Sequence, residues 1–264
     1  MAQETEKRAW LRALGRADLP SEVEAGGEVF KHLRTFKHDF FAATGLYEGA
    51  GGEVIYKVSR RGLLGRWLAR RELAHYERVH DLDGIPRALG SVGDLGFVHE
   101  FVPGHPLQRS EHVPDEFFTQ LRALIETVHT RDTAYADLEK RENILVTDDG
   151  KPALIDFQIS WHWPTSRFPA FFGRAVLKKL QAADLYHLQK HRRRHRPDQM
   201  TEAEIAASRR LPRAIRVMRA LWWPVRTLRR AGLKLLTGKS HSPKQDGPEF
   251  VESVEEMRAS REPD

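Results

Sequence analysis

The stretch from His129 to Trp161, HTRDTAYADLEKRENILVTDDGKPALIDFQISW, constrains the fold of this chain more than any other. Two short apolar runs, Ile144-Leu145-Val146 and Ala153-Leu154-Ile155, flank Asp148-Asp149-Gly150-Lys151. An Asp-Gly pair between apolar runs reads as a β-hairpin with a tight turn. Polar residues sit at fixed places around that hairpin. Asp137-Leu138 opens a loop before it, Asn143 stands at the start of the first run, and Asp156-Phe157 follows the second. Metal-assisted phosphoryl transfer needs this set of groups. One carboxylate orients or deprotonates an attacking hydroxyl, while an Asn and a second carboxylate offer hard oxygen ligands to Mg²⁺. Each residue alone is commonplace; the information lies in their order.

The rest of the chain predicts an α+β fold. Residues 1–25 read as a polar helical lead-in. Glu28 to Phe36, Phe40 to Tyr47 and Glu53 to Ser59 are β-branched and aromatic, and Glu48-Gly49-Ala50-Gly51-Gly52 is a strong turn. They predict a three-stranded antiparallel meander. Leu63 to His80 has helical spacing and ends at Gly84-Ile85-Pro86. Two more strands follow over 87–102, the second being Phe97 to Val102. The spacing of Phe117, Phe118, Leu121, Leu124, Ile125 and Val128 predicts a helix over 114–130, with Asp115 and Glu116 in its first turn. From about 168 the chain reads as helical and increasingly basic. Residues 240–264 read as a linker and an acidic, disordered tail.

Composition narrows the chemistry. The chain has no cysteine, which excludes disulfides, thiolate nucleophiles and zinc-thiolate sites. Its start, MAQETEKRAW, lacks the apolar core of a signal peptide. No run approaches the roughly 20 apolar residues of a membrane span. A cytoplasmic protein, soluble or peripheral at a membrane, is expected. The net charge of +6 points to an acidic partner: nucleotide, nucleic acid or anionic membrane.

YADLEKREN and IDFQ resemble the catalytic loop and the metal-binding Asp-Phe-Gly motif of the protein-kinase-like superfamily. Val54-Ile55-Tyr56-Lys57 is similar to its third-strand lysine motif, and Arg71-Glu72-Leu73 lies on the next helix. Glu100-Phe101-Val102 falls where such enzymes have their hinge. The resemblance spans roughly 28–160. It implies a bilobal fold, with a β-rich small lobe over 28–102 and a mainly helical large lobe over 103–205. It implies ATP and Mg²⁺ as cofactors, with ATP between the lobes. Lys57 would contact the phosphates and be held by Glu72, with Glu77 as a rival partner one turn on. The backbone at Glu100 and Val102 would bind adenine. Asp137 would orient the acceptor hydroxyl, and Asn143 and Asp156 would bind the metal.

Several details depart from ordinary protein kinases. Tyr135-Ala136 precedes Asp137 in place of His-Arg, and Gln158 replaces the Gly of Asp-Phe-Gly. No Ala-Pro-Glu motif follows. The turn Phe36-Lys37-His38-Asp39-Phe40 has no glycine, so the Lys37 and His38 side chains would stand in for a Gly-rich loop. Asp137 and Asn143 are six apart, one more than usual. These features are more similar to the lipopolysaccharide-core (Kdo and heptose) kinases and their RIO-like relatives, as is the run from Asp184 to Asp198. That branch implies transfer to a sugar hydroxyl of a lipopolysaccharide-type glycolipid at the inner membrane surface. A RIO-like protein Ser/Thr kinase or ATPase near RNA, and a membrane-associated pseudokinase scaffold, are the other readings.

Ile205 to Lys239 carries ten Arg or Lys and no acid, with apolar residues interleaved and a Trp222-Trp223 pair. Three readings fit this basic amphipathic segment, taken as 206–239: an interfacial membrane anchor, a terminal helix packed on the large lobe, and a nucleic-acid contact. His129 reads as a structural residue bracing the loop, and Tyr135 as a packing residue. Asp184 reads either as a hydrogen-bonding brace for the loop or as a surface helix position. Trp161 and Trp163 read as core, or as a platform for stacking a sugar.

Overall fold

The computed structural model describes residues 18–38, 42–109, 111–164, 170–210 and 212. They form a mixed α+β structure, with an antiparallel sheet first and the longest helix late. The chain divides into two compact units. The first takes in the described residues up to Leu73 together with Ala88–Phe101. The second takes in Ala74–Arg87 and the described residues from Val102 on.

The first unit is built on a six-stranded sheet. Its strands are β1 (Glu22–Ala25), β2 (Glu28–His38), β3 (Ala42–Gly49), β4 (Gly52–Ser59), β5 (Ala88–Val92) and β6 (Gly96–Glu100), in the order β1-β2-β3-β4-β6-β5. All neighbours are antiparallel, so the expected meander forms as β2-β3-β4. Alternate residues share a face, and one face is the core: Val23 and Ala25 of β1, Phe30 of β2, Ala43 and Tyr47 of β3, Val54, Tyr56 and Val58 of β4, and Val98 of β6. Tyr47 meets Tyr56 edge-on at 5.7 Å and donates its hydroxyl to the Pro20 carbonyl at 2.7 Å. Burial pushes the Tyr47 phenol up to about 12, so it stays neutral and keeps that donor. β1 replaces the end of the expected helical lead-in. Its four residues alternate exposed Glu with buried Val or Ala, a period too short to outweigh the charged residues before it.

α1 (Leu63–Arg78) follows β4, and the division between the units falls within it. In the second unit α2 (Phe117–Thr130) buries Phe117, Phe118, Leu121, Leu124, Ile125 and Val128, the stripe expected from spacing. The helix starts later than expected, because Phe117 N–H bonds back to the Pro114 carbonyl and residues 114–116 form a turn instead. β7 (Gly104–Pro106), β8 (Thr133–Ala134), β9 (Ile144–Thr147), β10 (Pro152–Leu154) and β11 (Trp161–His162) are short. β9 and β10 make the expected hairpin and β7 joins on the other side of β9, while β8 pairs with β11.

α3 (Ala170–His195) is long, and polar side chains line its buried stripe: Asp184, His187, His191 and His195. α4 (Glu202–Arg209) begins with a capping box between Thr201 and Glu204. Apart from residues 206–210 and 212, the basic segment 206–239 lies outside the described residues, as do the tail 240–264 and residues 1–17. Among the described residues no helix is long and apolar enough to cross a membrane.

One glycine fixes where β7 meets β9. Gly104 has φ 150°, and a Cβ there would lie 2.4 Å from the Val146 carbonyl oxygen. Gly104→Ala is therefore expected to destabilise the protein by about 2 kcal/mol or more, read as a lower urea midpoint with an unchanged m-value.

Candidate active site

β4 sits inside the first sheet, and Lys57 stands on it opposite Phe97 of β6 and Thr44 of β3. Its ammonium meets Glu72 of α1 at 2.7 Å. The Glu72 side chain is 1% exposed and that of Lys57 13%. Glu77, the rival partner, is exposed on the next turn. Desolvating two charges costs several kcal/mol per ion, so this pair contributes little to stability and fixes an ammonium in place.

The loop from Thr133 to Asn143 is held by α3. Asp184 is buried, and its carboxylate accepts the Tyr135 N–H at 2.9 Å and the Ala136 N–H at 2.8 Å. His129 Nε2 lies 3.0 Å from the same carboxylate. One helical turn earlier, Gln181 Nε2 donates to the His129 and Thr133 carbonyls. Two turns later, His191 Nε2 lies 2.8 Å from the Leu138 carbonyl. Burial pulls the His191 imidazole down to about 3, so it is neutral and Nε2–H is the donor. The brace resolves a strained turn: Ala136 has φ 65°, a left-handed conformation unfavourable for a residue with a Cβ. That turn places Asp137 at the start of the loop.

Asp137 is 7% exposed. Its Oδ2 accepts from Asn143 Nδ2 at 2.9 Å and from Lys140 Nζ at 2.6 Å. A 3₁₀ turn, Arg141–Asn143, brings Asn143 to the Asp137 carboxylate. Burial raises the Asp137 pKa to about 6; Lys140 and Asn143 pull it down and the Asp156 charge pushes it up. Burial alone would lower the Lys140 pKa, but Asp137, Asp156 and Glu142 outweigh it and raise the ammonium above its usual value.

Asp156 also has a left-handed backbone, φ 62°. Its N–H donates to the Tyr76 hydroxyl at 3.0 Å. The next residue, Phe157, is fully buried between Tyr76 and Tyr135, with both ring pairs edge-on at 5.0 Å. The Tyr135 hydroxyl bonds to the Ile155 carbonyl, and Ser160 Oγ donates to the Tyr135 carbonyl at 2.9 Å. The two halves of the motif region are thus tied by Tyr135.

Glu100 ends β6 opposite Val54, and the His99 ring bonds its carbonyl at 2.8 Å. Val102 follows the strand and begins the second unit. Lys37 is exposed near the end of β2, and the turn beyond it, 39–41, lies outside the described residues. Trp161 and Trp163 stack in parallel at 6.3 Å, and Trp163 packs on Gly173 so closely that a Cβ there would clash.

Among the described residues no group of three or more His, Asp or Glu is arranged to hold a metal. Mg²⁺ does not require one, since it keeps several waters and takes one or two carboxylates together with phosphate oxygens. Asn143 and Asp156 are of the donor types that role needs: with the Asn143 amide nitrogen bonded to Asp137, its oxygen is the group left to face a cation, and Asp156 is a carboxylate.

Sequence reasoning missed two members of the site. Lys140 was one basic residue in a charged run, with only its place three after Asp137 to mark it. Tyr76 read as part of a helical stripe, and nothing local paired it with Asp156. No protein-family model matches this sequence, and no curated protein sequence matches it.

Asp184→Ala leaves the buried Tyr135 N–H and the half-buried Ala136 N–H without their acceptor and should cost about 3 kcal/mol. Hydrogen exchange at the Tyr135 and Ala136 amides should speed up more than exchange in β2 to β4. A uniform change across the chain would mean that Asp184 does not act on the loop.

Proposed function

We propose that this chain is a Mg²⁺-dependent, ATP-using phosphotransferase of the bilobal protein-kinase-like kind. Its acceptor would be an alcohol, in the leading reading a sugar hydroxyl of a lipopolysaccharide-type glycolipid at the inner membrane surface. One observation carries the reading. Asp137 is buried, fixed by a pinned backbone, and shares Oδ2 between Asn143 and Lys140. Oδ1 is then the atom to take the proton of an acceptor hydroxyl. Bound Mg²⁺ would neutralise the phosphate oxygens, held through Asn143 and Asp156. Lys57, fixed by Glu72, would offer its ammonium to the nucleotide phosphates. Lys140 would remain beside Asp137 and offset charge that builds on the transferred group. Such catalysis is positioning and charge neutralisation, with no covalent enzyme intermediate.

The acceptor rests on the resemblance of the catalytic loop to lipopolysaccharide-core kinases, and membrane attachment on the basic segment 206–239. The discriminating measurement is transfer of labelled γ-phosphate from Mg-ATP into whole cell envelope, with lipid and protein fractions separated. Label is expected in glycolipid and should fall at least about 10³-fold in Asp137→Ala. Label in a protein band would indicate a protein kinase. Nucleotide binding without transfer to either fraction would indicate a scaffold.

The raised Asp137 pKa fixes a pH dependence. Asp137 must be ionised to accept a proton, so log kcat/KM should fall with unit slope below about pH 6. Stability runs the other way. An acid whose folded pKa lies above the unfolded value of about 3.9 contributes most when protonated, and that contribution is lost as pH rises through 6. The Tm of Asp137→Asn relative to the parent should therefore rise between pH 4 and pH 7. A constant difference would mean that burial does not raise this group.

A further inference from the structure

The first turns of α1 carry an exposed apolar tip that folding of the first unit leaves uncovered. Leu63 is 84% exposed, Leu64 65% and Trp67 53%. Large apolar side chains exposed together, rather than singly, mark a contact surface. The surroundings are cationic. Arg60, Arg61, Arg66, Arg70 and Arg71 lie within or beside the same turns; residues 60–71 contain no carboxylate, and the next residue, Glu72, is turned inward to Lys57. Leu63, Arg66, Trp67, Arg70 and Arg71 line one shallow groove. Asp94 supplies the acid at its edge, 2.9 Å from Arg70 and 3.7 Å from Arg66. The Arg71 guanidinium lies over the Trp67 ring at 5.0 Å, holding the indole and a charge side by side.

The geometry points to an anionic lipid surface as the occupant of this face, with Leu63, Leu64 and Trp67 entering the headgroup boundary and the arginines meeting phosphates. The charge and the apolar tip together select it. A second copy of this chain would set one net-cationic face against another, a repulsive arrangement. A bilayer of anionic lipid offers what this face needs on both counts: phosphates at the depth of the guanidinium groups and hydrocarbon just beneath. Trp and Arg suit that boundary because each has an apolar body and a polar tip. The face belongs to the first unit alone. The inference does not rest on the phosphotransfer reading, and it does not use the segment 206–239.

The chain has no cysteine, so one introduced thiol carries one label. Full-length Leu63→Cys, bearing an environment-sensitive dye, is mixed with vesicles of about two-thirds phosphatidylcholine and one-third phosphatidylglycerol. The emission should shift to the blue and brighten, revert in about 0.5 M salt, and not change with phosphatidylcholine alone. A label on Glu126→Cys, on the exposed side of α2, should stay unchanged. Vesicle partition should weaken about tenfold or more in Leu64→Glu/Trp67→Glu and in Arg66→Glu/Arg70→Glu. No partition overturns the inference. So does partition with the dye at residue 63 still in water, which would assign membrane binding to another segment. A blue shift that tracks protein concentration without vesicles also overturns it, in favour of self-association. Labelled-phosphate transfer is a separate readout, so loss of transfer with partition intact would count against the phosphotransfer reading alone.

Discussion

The second unit depends on a single buried carboxylate. Asp184 accepts two consecutive backbone N–H groups, from Tyr135 and Ala136, and meets His129 as well. Burial raises its pKa, and these partners oppose that rise. A buried carboxylate without donors would cost far more than any helix position gains by holding it. With them, it fixes a turn whose Ala136 is left-handed. The arrangement explains a feature of α3 that amphipathicity does not: beside Leu177 and Leu188 its inward stripe carries Asp184, His187, His191 and His195, and a loop with backbone groups to satisfy lies against it. Gln181, Asp184 and His191 occupy that stripe in step with the helical repeat, and each bonds a main-chain atom of the loop or of the helix end before it.

The consequence appears at Asp137. A carboxylate that must take a proton has to be neither too acidic to accept it nor neutral at working pH. Burial pushes this one up and Lys140 with Asn143 draws it back, and burial wins by enough to leave it near 6. Neither effect alone gives that result. An exposed Asp beside a Lys would stay an ordinary acid, and a buried Asp without Lys140 would be neutral. Asp156 adds a second negative charge in the same neighbourhood, fixed by the Tyr76 hydroxyl and by Phe157 packed between two tyrosines. In the phosphotransfer reading proposed above, Asn143 and Asp156 would hold the metal.

Much of this was legible because it is local. The hairpin of β9 and β10 follows from two apolar runs and an Asp-Gly turn, and α2 from one stripe. The pairing of Lys57 with Glu72 was legible only through resemblance, since a strand lysine and a helix glutamate carry no mark of each other. What stayed hidden was set by distance in sequence or by length. β1 alternates correctly, but four residues are too few to outweigh the charged residues before them. Asp184 lies 48 residues from Ala136, and before folding it reads equally well as a brace and as a solvated acid. Lys140 sits in a run of charges, and only the buried position of Asp137 singles it out.

The Lys57–Glu72 pair bears on whether the first unit is shaped by stability alone. Its charges are nearly out of water, and an apolar pair of similar volume would fold as well or better, since desolvation offsets most of the attraction. Stability therefore gives no reason for lysine at this point of β4, whose neighbours Val54, Ile55, Tyr56 and Val58 are all buried. An apolar pair cannot present an ammonium at a fixed place on a rigid strand. The strand supplies the rigidity, through two antiparallel partners, and Glu72 supplies the direction. A cation held this firmly suits a ligand whose own charge is localised and must be placed to within a fraction of an ångström, as a polyphosphate is during transfer. The cost of burying the pair thus argues for a positioning role, which is the role the phosphotransfer reading gives to Lys57.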